Sequence, residues 1–70
     1  MLQPAQQHPQ QQTLLRQRDV TARTGMPRTS IYAAMLAGKF PRPVKVGARA
    51  VAWVSTEIDA WTASRPRVSA

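Results

Sequence analysis

Gly25 is the residue around which this chain has to fold. On either side of it lie two segments short enough to be single helices, Arg18-Asp-Val-Thr-Ala-Arg-Thr before and Met26-Pro-Arg-Thr-Ser-Ile-Tyr32 after. Glycine adopts the left-handed conformation that ends a helix at little cost, so a sharp change of direction belongs at this point. Apolar side chains fall at Val20 before the turn and at Met26, Ile31 and Ala34 after it. Two short helices crossing at roughly 90–120° share one small contact, and these positions supply it. Ala34 is small enough to let the two backbones approach. The spacing fits a helix-turn-helix, and it also fits an ordinary helical hairpin.

The flanking residues extend the reading to the whole chain. Leu14-Leu15 reads as a short extended piece or the lead into the first helix. That helix covers about residues 17–24, with Asp19 near its positively polarised start. The second runs from about Pro27 to Ala37. Proline fits the first helical position, where its missing N–H has no partner anyway, and Gly38 stops the helix. Pro41 and Pro43 impose an extended path. Beyond them Val44 and Val46 share one face with Lys45 on the other, and Val51 and Trp53 likewise share a face. This period of two on both sides of Gly47-Ala48-Arg49 argues for a hairpin with a short loop. Ser55 or Thr56 caps a third helix with Glu57 and Asp59 in its first turn, and Ile58 and Trp61 form its inward face.

The expected fold is mainly α with a small β-hairpin, a winged helix-turn-helix over residues 13–65. Residues 1–12 hold six glutamines and two prolines with little to bury, which reads as a disordered Gln/Pro-rich tail. Residues 66–70 read as a flexible C-terminal tail. Seventy residues allow one domain, and the core of such a chain is marginal. No cysteine is present to form a disulfide, and the one histidine, His8, lies in the Gln/Pro stretch, so neither a structural zinc site nor another metal is expected.

The polar residues favour the helix-turn-helix over the plain hairpin. Ten Lys and Arg stand against three acids, and between Val20 and Thr56 there are six cations (Arg23, Arg28, Lys39, Arg42, Lys45, Arg49) and no acid. A central segment of one sign suits a polyanion; the plainer alternative is a basic surface without a partner. Arg28, Thr29 and Ser30 occupy the first turn of the second helix, and Tyr32 follows. A recognition helix enters the major groove by this end, where free N–H groups also favour a phosphate. Arginine takes guanine bidentately, and hydroxyls reach phosphates or base edges. Thr29 and Ser30 are equally at home at any helix start, and Tyr32 serves as well as a half-buried spacer. The hairpin is a wing: Arg49 at its tip and Lys45 beside it face the backbone or the minor groove, with Lys39 and Arg42 on the approach. A solvated basic turn is the alternative there. Trp53 and Trp61 sit on inward faces and read as core.

Catalysis finds no footing. There is no cysteine, no usable histidine and no phosphate-cradling glycine loop, and the three carboxylates look like helix-start charges. No cofactor is expected. No apolar run approaches the roughly 20 residues needed to cross a membrane, and the first residues lack a signal-peptide core. The expected location is the cytoplasm, beside the nucleoid.

Four runs carry a family likeness: Gly25-Met-Pro-Arg-Thr-Ser-Ile-Tyr32, Gly38-Lys-Phe-Pro-Arg-Pro-Val-Lys-Val-Gly47, Arg49-Ala-Val-Ala-Trp53 and Glu57-Ile-Asp-Ala-Trp61. Together they resemble the AlpA family, small MerR-like winged-helix proteins of prophages and integrative elements, over about residues 14–64. The resemblance implies an excisionase (recombination directionality factor) or a transcriptional activator of an integrase gene. It implies that Arg28, Thr29, Ser30 and Tyr32 read the major groove and that Lys45 and Arg49 serve the wing. The partners it implies are double-stranded DNA, an integrase of the tyrosine or serine recombinase class, and further copies of the chain along the DNA. The chain departs from the family pattern at Pro27, where a capping serine is usual, at Arg23, usually apolar, and at Ala33, often basic. An RNA-binding or general nucleoid protein, and a module that meets an acidic protein partner, are the readings from other classes. The first of these predicts little preference for any defined DNA site.

Overall fold

The computed structural model describes residues 13–68; the Gln/Pro-rich tail and residues 69–70 lie outside the described residues. The elements follow in the order β1 (Leu14–Leu15), α1 (Gln17–Thr24), α2 (Arg28–Leu36), β2 (Val44–Lys45), β3 (Val51–Val54) and α3 (Ser55–Ala63). Three helices and a small antiparallel sheet make this a mainly α winged helix-turn-helix, one of the two arrangements that the spacing around Gly25 fits.

The turn between α1 and α2 is held by local bonds. Gly25 has φ 76° and donates its N–H to the Thr21 carbonyl at 2.8 Å, which closes α1. The Thr24 hydroxyl donates to the Val20 carbonyl at 2.8 Å and accepts the Met26 N–H at 3.2 Å, so one side chain bridges the end of α1 and the turn. At the other end of α1, the Asp19 carboxylate accepts the Arg16 N–H at 3.1 Å, which supports a carboxylate at the positive helix end.

Pro27 is not the first helical residue. It stands one position earlier, as the N-cap of α2, with φ −70° and ψ 165°. The ring fixes φ but leaves ψ free, and here ψ is extended. The Pro27 carbonyl still accepts the first helical bond, from Ile31 N–H at 3.1 Å. α2 ends on a paired closure: Gly38, with φ 75°, donates to Met35, and Lys39 donates to Ala34, at 3.0 and 2.9 Å. This closure needs a left-handed residue at Gly38, which explains the glycine there.

The sheet has one strand more than the expected hairpin. Leu14-Leu15 is extended and pairs with β3, Leu14 opposite Val54 and Leu15 opposite Trp53, so the strand order is β1-β3-β2. The wing itself pairs Val44 with Ala52 and Lys45 with Val51, and a Val46 N–H to Ala50 carbonyl bond of 2.9 Å closes the loop Gly47-Ala48-Arg49. The expected alternation fails in β3, where the adjacent residues Ala52 and Trp53 are both buried. As the central strand, β3 has a neighbour on each side, and small Ala52 is covered without entering the main core. Val44 and Val46 stay partly exposed on the edge strand and its end.

Neither Ser55 nor Thr56 caps α3. Val54 is the N-cap, and Ser55 is the first helical residue and buried. Its backbone N–H donates to the Thr13 carbonyl at 2.8 Å, and its hydroxyl accepts the Thr13 N–H at 2.9 Å. Ser55 therefore continues the β1–β3 pairing into the helix, and its side chain is taken up by that strand rather than by the helix start. Asp59 is likewise not a first-turn charge; Glu57 alone holds that place, and Asp59 pairs with Arg23 across from α1.

The core draws on nearly every element: Leu15, Val20, Ile31, Met35, Phe40, Trp53 and Ile58, with Met26, Tyr32, Ala34, Val51 and Trp61 packed against it. Val20 and Ile31, expected to join the two helices of the motif, are fully buried, as are Trp53 and Ile58. So small a core supplies roughly 3–5 kcal/mol of net stability in a domain of this length.

Candidate nucleic-acid interface

The start of α2 is chemically bare. Proline at the N-cap has no side chain that accepts a hydrogen bond, and the first turn holds no acid. Among the described residues, the backbone N–H groups of Arg28, Thr29 and Ser30 meet no acceptor. All three side chains are exposed. They end in donors and hydroxyls, beside the positive end of a helix, so the position suits an anion or a base edge.

Tyr32 lies one turn further on and is only half exposed. Its ring meets Trp53 edge to face, with centroids 6.1 Å apart and planes at 79°. The Arg28 guanidinium lies over the same ring, 5.2 Å from its centroid. Arg28, Thr29 and Tyr32 together line an open hollow on the surface.

The connector between α2 and the wing is held by two indoles. Trp53, on β3, donates its Nε1–H to the Pro41 carbonyl at 3.0 Å. Trp61, on α3, donates to the Lys39 carbonyl at 2.8 Å and packs against Phe40 with ring centroids 4.7 Å apart. Both bonds land on the connector from α2 to the wing. Its carbonyls could not be paired within a helix or sheet, because Pro41 and Pro43 break both. Trp53 is thus a fully buried core residue, as its inward position implies, Trp61 is partly buried against the core, and both are also fasteners of this connector. The sequence carries only half the signal for that second role: a buried indole N–H needs an acceptor, but its spacing does not name which carbonyl.

The remaining candidates fall along the same path. Lys39 follows the α2 closure, Arg42 lies between the two prolines, Lys45 is on β2, and Arg49 is in the hairpin loop; all four are exposed. None of these four, nor Arg28, has a carboxylate partner among the described residues. Arg23 differs. Its Nη1 lies 3.0 Å from an oxygen of Asp59, the one ion pair among the described residues. The sequence groups Arg23 with the other central cations, but folding neutralises it by a residue 36 positions away.

Residues 13–66 match the family model described as "Prophage CP4-57 regulatory protein (AlpA)". The chain belongs to the AlpA family. The match spans all three helices and the whole sheet, so the family and the fold cover the same residues. The chain is also 38% identical over 55 residues to "Uncharacterized protein ORF88" of Enterobacteria phage P4. The alignment covers 79% of this chain and 62% of that relative, so the chain spans less than two thirds of the relative's length. No solved structure matches it. Among the described residues, no helix is long and apolar enough to cross a membrane.

Proposed function

We propose that this AlpA-family protein binds double-stranded DNA in a sequence-specific way and acts as an excisionase of a prophage or integrative element. The observation that carries the DNA reading is that Arg28, Lys39, Arg42, Lys45 and Arg49, successive along α2, the connector and the wing, have no carboxylate partner among the described residues, and that Arg28 stands at a helix start with free N–H groups. In this reading Arg28, Thr29, Ser30 and Tyr32 form the end that enters the major groove. Lys45 and Arg49 follow the sugar–phosphate backbone or the adjacent minor groove, and Lys39 and Arg42 add phosphate contacts on the way.

The prophage family and the phage relative support a mobile-element setting. The mechanism is architectural. Copies bind beside an attachment site, bend the DNA, and direct a separate integrase towards excision. The site has no catalytic part to play in that scheme: it offers cations, hydroxyls and N–H groups, the chemistry of binding. Excision assayed with integrase supplied from an independent promoter tests the role. Excision that rises when this protein is added supports it; excision that is the same with and without the protein rejects it.

The family description as a regulatory protein favours a second reading, a transcriptional regulator of an integrase or excision gene. In the same assay that role alone leaves excision unchanged while transcript levels from the integrase promoter respond to the protein.

A further inference from the structure

We infer that Tyr32 is a positioning residue that holds Arg28 for base reading, rather than itself a reader of bases. The inference rests on the DNA-binding reading above and assigns a division of labour within it. Tyr32 sits four residues after Arg28, the spacing at which helix side chains meet on one face. The Arg28 guanidinium lies 5.2 Å from the Tyr32 ring centroid. The other side of the arrangement is rigid. The Tyr32 ring is braced edge to face by Trp53, which is 0% exposed and tied by its indole N–H to Pro41.

A free arginine has long, mobile side-chain geometry and loses rotamer entropy when it binds. Bidentate recognition of a guanine needs the guanidinium plane held in one orientation. A ring braced by the core, with the guanidinium over its face, gives Arg28 a surface to rest on before DNA arrives. Nothing else does so: Arg28 has no carboxylate or hydrogen-bond partner among the described residues that would fix it instead. Thr29 shares the hollow with Arg28 and Tyr32, but its short side chain cannot form such a surface.

The test uses duplexes that the full-length protein selects from a random-sequence pool, with variants compared by affinity and by base preference at each position. Arg28→Ala is expected to erase the preference at one base pair and to lower affinity about fivefold to a hundredfold. Tyr32→Phe keeps the ring and should keep both. Tyr32→Leu removes the ring; it should blunt the preference at that same base pair and cost about two- to fivefold, the worth of an exposed cation–π contact. In the Arg28→Ala background Tyr32→Leu should cost nothing more. Loss of preference in Tyr32→Phe would overturn the inference, because the hydroxyl would then be the reader. So would additive losses in the double variant, or an unchanged preference in Tyr32→Leu. A wild-type protein that selects no duplex rejects the DNA reading and the inference together. Selection by wild type with no response to Arg28→Ala rejects the inference and leaves DNA binding standing.

Discussion

The acids of this domain are confined to one side of it, and one cation is paired with one of them. On the α1–α3 side Asp59 pairs with Arg23 and Asp19 satisfies the start of α1, while Arg16, Arg18, Arg65 and Arg67 have no carboxylate partner among the described residues. Along α2, the connector and the wing, Arg28, Lys39, Arg42, Lys45 and Arg49 have no acidic partner, and the helix start has neither a cap side chain nor an acid. The three acids all lie on α1 or α3. The difference leaves α2, the connector and the wing with cations and no acid, and a total of +7 conceals it. One region carries both cations and acids, the acids serving helix starts and an ion pair. The other is rigidly held yet electrostatically unfinished.

The largest test strikes what holds the second region rigid. Trp53 touches Tyr32 of α2 and the Pro41 carbonyl of the connector, and is fully buried. Trp53→Ala should cost about 3–5 kcal/mol, close to the whole stability of so small a domain. Chemical denaturation followed by far-UV circular dichroism should find the variant largely unfolded in buffer; a native-like transition would mean that Trp53 does not organise the core.

Arg28→Ala leaves the fold intact and should weaken binding to a selected duplex by about 1–3 kcal/mol, with a smaller loss on random DNA. Equal losses on both would make Arg28 a phosphate contact and place the sequence reading elsewhere. Arg49→Ala should weaken binding to all duplexes alike and lower the slope of log affinity against log salt by about one unit. A slope that does not move would remove the hairpin tip from the DNA.

The smallest expected effect sharpens the contrast most. Arg23 and Asp59 keep side-chain exposures of 46% and 63%, so their pair is a surface ion pair worth at most about 1 kcal/mol. Arg23→Gln should change stability by less than that and leave the salt slope of DNA binding unmoved. A slope that drops as it does for Arg49→Ala would show that the α1–α3 side also faces the DNA.

Much of the fold was legible because it depends on local chemistry. Gly25 and Gly38 mark helix ends that need a left-handed residue, and both ends fall where the glycines lie. Val20, Ile31 and Ile58 announce buried faces by their spacing, and all three are fully buried. What the sequence concealed depends on distant partners. Ser55 has the composition of a helix cap, but the strand residue Thr13 claims its hydroxyl. Asp59 has the composition of a helix-start charge, but Arg23 claims it. Leu14-Leu15 is too short to declare itself a strand until β3 pairs with it. Pro27 fits either of two adjacent positions, since both tolerate a missing N–H and a φ near −70°; ψ decides between them, and proline does not fix ψ. Of the candidate interface, the residue types and their order along α2 and the wing were readable. The support beneath them, Trp53 under Tyr32 and the two indole bonds to the connector, was not, because a carbonyl acceptor leaves no mark in a sequence.

The central claim is that the unfinished face of α2 and the wing meets DNA as one surface. Footprinting across the attachment region of the host element, with guanine N7 methylation and backbone cleavage read on the same duplex, tests it most directly. The account predicts protected guanines in one major groove with protected backbone beside them, the first lost in Arg28→Ala and the second in Arg49→Ala. Absence of protection at micromolar protein, or protection that both variants retain, would contradict it.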